Sequence, residues 1–534
     1  MRLHEEPQRR YLISAGYHTP NGPLHLGHLG GPFLHGNVLA RHLESLGHEV
    51  WQITGTDAHE SYVLLSAVVE GTDPRSVSGP NHASAEQTLN GFGMGQTAFA
   101  DTGGQRLAAD YARHSHDIAR FLVERGRVEV RDVDMLRSRS TGRVVVGPFA
   151  VGDCPACGAG AAGTCCEECG VWFGPERLRN TRPRLPVDDD LEPIVVPTAY
   201  LRLSESFNAK ELAGRFPERY LHLADDYLAL NGPWVALSHP LGWGVPWEEL
   251  PGPPAPEAVH TSYALGTYAS NRILRDLFGA ATGLGDPFAH NSGITTVLTS
   301  GLDAVLPCMF LHGLADPDLD WHPYERHVLN EFMLLDGEKF STTRQHVITG
   351  GHYLAAGLDP GLFRFYAALV TDPDRPADFR VADFAAFCQE TVVGRLDPLV
   401  AQCLDRDPEN TGIADAAAPF VRARATALSV DDPDIRAGAE GVLGWLRAGE
   451  AGLAAERPYG WLRVLAWLAW PYLPGRAEEL WGALGLTGAP RLSELEPVGG
   501  AGPVTRAVPG RYRPPAVPTQ QRIAALLRPA DHLS

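Results

Sequence analysis

Long hydrophobic runs are missing from this sequence. No uncharged apolar stretch reaches the roughly 18 residues that a membrane span needs. The opening stretch, MRLHEEPQRRYLISAG, holds no signal-peptide core ahead of its charged cluster. A cytoplasmic chain without a membrane partner is therefore expected. Positive charge is short as well: 45 basic against 64 acidic residues leave a net charge of −19. General nucleic-acid binding is excluded, because it needs a basic surface to displace counterions. A local basic groove for one specific RNA is still allowed. Cysteine is scarce and unevenly spread, with five of the eight inside residues 154–169 and Cys308, Cys388 and Cys403 standing apart. That distribution points to a metal knuckle plus buried thiols, not to a disulfide framework.

What is present fits a globular chain. It has 534 residues, 44% of them hydrophobic and 20% charged, which is too long for one core and suggests roughly three or four domains. YLISA at 11–15 reads as a short buried strand, and the glycine- and proline-rich turn GYHTPNGP follows it. A helix is expected from about residue 25 to residue 46, and HEVWQITGTD then reads as a second strand ending in Asp57. Strand, loop, helix and strand make a βαβ unit, so the expected fold class is α/β, with a Rossmann-type doubly wound parallel sheet. A ligand would then lie beyond the carboxyl ends of the strands, beside the 16–28 loop and Asp57.

Further along, residues 85–130 read as helical, and residues 145–200 change character around the cysteines. The expected division is a first catalytic half over 1–115, an insertion over 116–230 and a second catalytic half over 231–345. A linker over 346–385, an α-helical domain over 386–490 and a Pro/Gly/Arg-rich tail over 491–534 complete it.

Three short motifs carry chemistry. In HLGH, His25 and His28 share a face at a helix N-terminus, where free N–H groups and the dipole favour anions. Gly27 between them lets a flat adenine or ribose approach the backbone. In LDGEKFSTTRQ (335–345), Lys339, Ser341, Thr342, Thr343 and Arg344 form either a polyphosphate cradle or an ordinary surface turn. Cys154-x-x-Cys157 and Cys166-x-x-Cys169 offer four thiolates for a tetrahedral, structural zinc, with Cys166 giving a better register than Cys165.

The segments PNGPLHLGH (20–28), GHEVWQITGTDAH (47–59), AYLRLSESF (199–207), GWGVP (242–246), LDGEKFSTTR (335–344) and LPGRAEELWGALGL (473–486) occur in the order found in class I aminoacyl-tRNA synthetases. The chain resembles that class, and within it the methionyl-tRNA synthetases. The resemblance implies a Rossmann-type catalytic domain, an inserted connective domain with a zinc knuckle, and a C-terminal α-helical bundle. It also implies amino-acid activation with ATP and Mg2+, with His25, His28 and the KMSKS-type Lys339 stabilising the transition state. Gly27, Ser341, Thr342 and Arg344 would complete the ATP site, and Asp57 would take the substrate ammonium.

The departures are as informative. The loop's second lysine is replaced by Thr342, so compensation is expected from Arg344 or Arg326. Tyr17 and Thr19 replace a smaller apolar residue and a tyrosine. AVHTSYALGTY puts His260 and Ser262 where a tryptophan-bearing VWxDA run is usual. Setting Gly293 of HNSGITTVLTS on the glycine of the family's GKDI run makes Thr295 stand for a ribose-contacting aspartate and Ser300 for a histidine. Trp461 reads as a core tryptophan rather than a base-stacking one. Three readings follow: a methionine–tRNA ligase, a paralogue with another amino acid or a non-tRNA acceptor such as an N-hydroxylated amine, and an inactive binding protein. The second carries with it a separate partner enzyme in a biosynthetic pathway.

Overall fold

A computed structural model describes residues 7–187, 191–249, 255, 257–341, 346–406, 413–495 and 520–526. At its centre is a five-stranded parallel sheet made of β1 (Arg10–Ala15), β2 (Glu49–Thr56), β3 (Ala98–Asp101), β4 (Thr295–Gly301) and β5 (Arg326–Asn330), in the spatial order β5-β4-β1-β2-β3. Five of the six β1 residues, Tyr11 to Ala15, are buried, as in a central strand covered on both faces. The chain runs outward from β1 through β2 to β3, leaves the sheet, and returns on the other side of β1 as β4. The strand order therefore reverses at β1, which opens a crevice at the carboxyl ends of β1 and β4.

The expected first helix is interrupted. A turn over Leu26–His28 passes into a wide turn at Leu29–Phe33, where Gly31 leaves helical geometry just before Pro32, and α1 (Leu34–Ser45) follows. The missing proline N–H explains the break. Residues 85–130 are likewise not one helical region. Helices Pro74–Gly91 and Ala108–Glu124 flank β3, whose four residues are too few to show a periodicity against the helices on either side.

Among the described residues between β3 and β4 lie three small antiparallel sheets. One has Leu191–Arg202 between Val128–Ser138 and Trp234–Ala236, a second is built on Ala150–Asp153 beside the cysteines, and a two-stranded one pairs Ser238–His239 with Val259–His260. The C-terminal part is helical, around five fully buried or nearly buried tryptophans. Trp445 and Trp461 each donate their indole N–H to the other's backbone carbonyl, at 3.0 and 3.2 Å. Trp461 thus has no face left for a nucleobase. Most of the Pro/Gly/Arg-rich tail lies outside the described residues. Among the described residues, no helix is long and apolar enough to cross a membrane.

Candidate active site

The loop after β1 is pinned to the end of β2. The His18 amide donates to the Gly55 carbonyl at 3.0 Å, and the Asp57 amide donates back to the His18 carbonyl at 3.0 Å. This brings the start of the HLGH turn to the crevice. His25 caps the turn: its ring and the His28 ring exchange backbone contacts at 3.4 Å and stack at 3.6 Å, 18° from parallel. His18 meets His28 edge-on at 4.7 Å. Phe340 lies on His25 at 4.7 Å and 3° from parallel. A Cβ at Gly27 would sit 3.0 Å from both the His25 ring and the Phe340 ring, so glycine is required by close approach.

Burial lowers the His18 pKa to about 4 and the His25 pKa to about 3, and it pushes His28 well below the ordinary value. The neighbouring imidazoles add to the shifts of His25 and His28. The cluster is neutral at physiological pH. It can meet a phosphate as N–H donors, not as cations.

Phe340 reaches the cluster because LLDGEK forms a tight hairpin. Asp336 and Gly337 occupy left-handed backbone (φ 49° and 85°), and Leu334 pairs with Lys339. Lys339 and Lys210 are the two lysines of the whole sequence. The Lys339 ammonium is 3.2 Å from Glu167 and 5.4 Å from the centre of the Phe332 ring. Ser341 exchanges backbone hydrogen bonds with His346, both 2.9 Å. Thr342, Thr343 and Arg344 lie outside the described residues. Arg326 begins β5 at the amino end of the sheet and pairs with Asp431 at 2.6 Å, so it is turned away from the phosphate corner.

Beside this corner, a cavity of about 360 Å³ opens at the carboxyl ends of β1 and β4. Tyr17, Thr19, Asp57 and Ser262, four of the residues expected around the amino acid, line it. Asp57 is 7% exposed, and its carboxylate accepts from the His59 amide at 3.0 Å and the Tyr111 hydroxyl at 3.2 and 3.3 Å. Burial raises its pKa, with His59 opposing. A ligand ammonium beside it would hold the carboxylate charged.

His260 is a correction. It is not among the cavity's lining residues; its Nε2 lies 3.0 Å from Glu249, which also meets His116 at 2.5 Å, and Trp247 covers its ring edge-on at 4.8 Å. The buried carboxylate draws the imidazole away from the crevice. Ligand atoms of His116, Glu249 and His260 lie within 4.8 Å of one another, but the two hydrogen bonds already occupy both carboxylate oxygens.

The placement of Gly293 and Thr295 is also corrected. Thr295 pairs with Tyr11 at the amino ends of β4 and β1, the wrong end of the sheet for the crevice. Ser300 does line the cavity. The Gly-x-Asp order of the GKDI run is found instead at Gly301-Leu302-Asp303, just past β4, and Asp303 lines the cavity. The signal was the position of the run after the strand rather than before it. Burial lifts Asp303 to about 6, with Glu167 adding to the shift. Glu60, three residues beyond Asp57, was also missed. It caps α2 (Ser61–Glu70) by accepting from the Tyr62 amide at 2.6 Å, lines the cavity, and is raised by burial to about 7.

The cysteine knuckle forms the cavity's outer wall. Cys154 and Cys169 sulfurs are 3.9 Å apart and Cys157 and Cys166 sulfurs 3.6 Å, with all four within 4.8 Å. A tetrahedral zinc at Zn–S of about 2.3 Å spaces its sulfurs about 3.8 Å apart, so the four thiols fit that ion. Each CxxC ends in a left-handed glycine, Gly158 or Gly170, whose amide closes the turn on the first cysteine's carbonyl. Cys165 is excluded from the cluster; its sulfur faces the Asp303 carbonyl at 3.9 Å, and the Trp172 indole N–H donates to that same carbonyl at 2.8 Å.

A family model described as "tRNA synthetases class I (M)" matches residues 11–246 and 304–404. The chain belongs to this family. It is 25% identical over 433 residues to the methionine–tRNA ligase of Chloroflexus aurantiacus, covering 75% of this chain and 70% of the relative. It is 26% identical to that of Salinibacter ruber, covering 72% and 55%. Among solved structures, the Mycobacterium tuberculosis methionyl-tRNA synthetase in complex with methionyl-adenylate superposes with a TM-score of 0.65 at 16% identity. That match covers 96% of this chain and 99% of that one. The chain is a methionyl-tRNA-synthetase-like ligase, of the ATP-dependent class that forms aminoacyl-adenylates.

Proposed function

We propose that this synthetase-like ligase activates an amino acid with ATP and passes the aminoacyl group to the hydroxyl of a small molecule, such as an N-hydroxylated amine, instead of to transfer RNA. The observation that carries the reading is the crevice itself. The buried Asp57 carboxylate and the neutral HLGH donors meet at the point where the strand order reverses. Asp57 holds the substrate ammonium, with Tyr17, Thr19 and Ser262 around the rest of the amino acid. The substrate carboxylate attacks the α-phosphorus of ATP, the bond to the β-phosphate breaks, and pyrophosphate leaves. His25 and His28 donate to the phosphate as charge gathers on it, and Gly27 keeps the backbone open to the nucleotide. Lys339 supplies the positive charge of the loop, with Ser341, Thr342 and Arg344 on the departing phosphates. Asp303 takes the ribose contact. The acceptor hydroxyl then attacks the adenylate carbonyl, its proton is lost, and AMP leaves. Mg2+ would neutralise the polyphosphate, and zinc on Cys154, Cys157, Cys166 and Cys169 would hold the cavity's outer wall. A separate partner enzyme in the cytoplasm would process the ester.

The low-molecular-weight acceptor is supported by the net charge of −19 and by a helical domain whose Trp461 is fully buried. Similarity to methionine–tRNA ligases favours a second reading, ligation of methionine to transfer RNA. An ATP–pyrophosphate exchange assay followed by AMP release separates them. Amino-acid-dependent exchange with AMP release triggered by N6-hydroxylysine supports the proposal. Release triggered only by bulk transfer RNA, with tight and salt-sensitive gel-shift binding, establishes the second reading.

A further inference from the structure

Three polar atoms buried against the same cavity have no hydrogen-bond partner among the described residues: Tyr17 Oη, His239 Nδ1 and Asn271 Nδ2. Asn271 is the most telling, because the residue is only 2% exposed. It sits on α3 (Thr267–Thr282), one residue after Ser270, on the stretch that forms the inner wall of the cavity with Thr267. A buried amide left without an acceptor is destabilising, so an unfilled donor facing a cavity marks where a ligand supplies the missing group. A hydrocarbon cannot do this, and a thioether sulfur is only a weak acceptor.

Charge narrows the choice. Among the described residues no lysine or arginine lines the cavity, whereas Asp57, Glu60, Glu167 and Asp303 do. An anionic side chain would meet four carboxylates and none of the described cations. A cationic side chain would satisfy the carboxylates but would bring only donors to the Asn271 amide, which is itself a donor there.

We propose that the amino acid activated here carries a neutral side chain with a hydrogen-bond acceptor, a hydroxyl or a carboxamide, held by the Asn271 amide. This deepens the adenylation reading and rests on it. Asn271 is a specificity residue: it touches the substrate side chain, not the reacting atoms.

The test is ATP–pyrophosphate exchange with the full chain across the twenty standard amino acids, followed by Asn271→Leu and the isosteric Asn271→Asp. The expected result is the highest kcat/KM for a hydroxyl- or carboxamide-bearing amino acid, at least about 10-fold above methionine. Both variants should lower kcat/KM for that amino acid by about 10- to 100-fold, mainly through KM. Exchange with methionine should not fall, so the ratio between the two narrows; a merely structural role would lower all amino acids together. Circular dichroism and the retained methionine exchange report folding. Preference for methionine, another apolar residue, glycine or a charged residue overturns the proposal, as does a uniform loss in both variants. Absence of exchange with every amino acid overturns the adenylation reading and takes this proposal down with it, an outcome distinct from the wrong preference.

Discussion

The phosphate corner and the amino-acid cavity adjoin each other but solve opposite problems. In the corner, His18, His25, His28 and Phe340 pack ring against ring, and burial keeps the three imidazoles neutral. In the cavity, three polar atoms have no partner among the described residues and lie beside four carboxylates. The corner is nearly complete without a ligand, while the cavity is incomplete until one arrives. A site that stacks rings on its own glycine is specified by shape, so its motif stays readable. A site that waits for a side chain is specified by single polar atoms that different substrates would change.

The largest break in this comparison is expected at the corner. Lys339→Ala should reduce pyrophosphate exchange by about 100- to 1,000-fold, because it removes the loop's described cation from the leaving phosphates. Full activity would show that the lysine serves only its ion pair with Glu167. In the cavity, Asp57→Asn should raise the KM for the amino acid by about 10- to 100-fold, since a charge-assisted contact becomes a neutral one. An unchanged KM would remove the ammonium from this carboxylate.

The wall between the two regions can be tested by its metal. Cys166→Ser should take bound zinc from about one equivalent per chain to near none and lower the melting temperature by several degrees. An unaltered metal content by elemental analysis would dissociate the knuckle from zinc.

The corner also predicts a pH dependence of stability. Its imidazoles stay neutral in the folded chain, His18 down to about 4 and His25 to about 3, whereas the unfolded chain protonates them near 6.5. Unfolding therefore takes up protons below about pH 6.5, so stability falls as the pH drops from there toward 4. Each group contributes at most about 1.4 kcal/mol per pH unit. His18→Gln should flatten that slope between pH 6 and pH 4.5 in chemical denaturation, and an unaltered slope would mean that the ring is already solvated. The smallest effect is expected from Thr342→Lys, which restores a second cation to the loop and should quicken adenylate formation about two- to five-fold. A slower rate would show that the single-lysine loop is tuned to this substrate.

The same contrast explains what was legible. Strand, turn and HLGH together announced the parallel sheet, because a short buried run followed by a glycine–proline turn and a helix has few alternative folds. The cysteines declared their register because each CxxC ends in the glycine that its turn requires. His260 misled, because sequence order cannot show that Glu249 and His116 come together behind it. Thr295 misled for a related reason. Its run of small residues resembles the one at 301–303, and only strand register shows which of them reaches the carboxyl end.

By itself the sequence determined the fold class, the family motifs and the four knuckle thiols, since each depends on residues close together in the chain. Which polar atoms are left unpaired, which carboxylates converge, and that Lys339 meets Glu167 from the knuckle were decided only by tertiary structure. Tyr17 comes from a segment more than 200 residues away from those of Asn271 and Asp303. Burial and missing partners are properties of what surrounds a residue, and no local pattern encodes them.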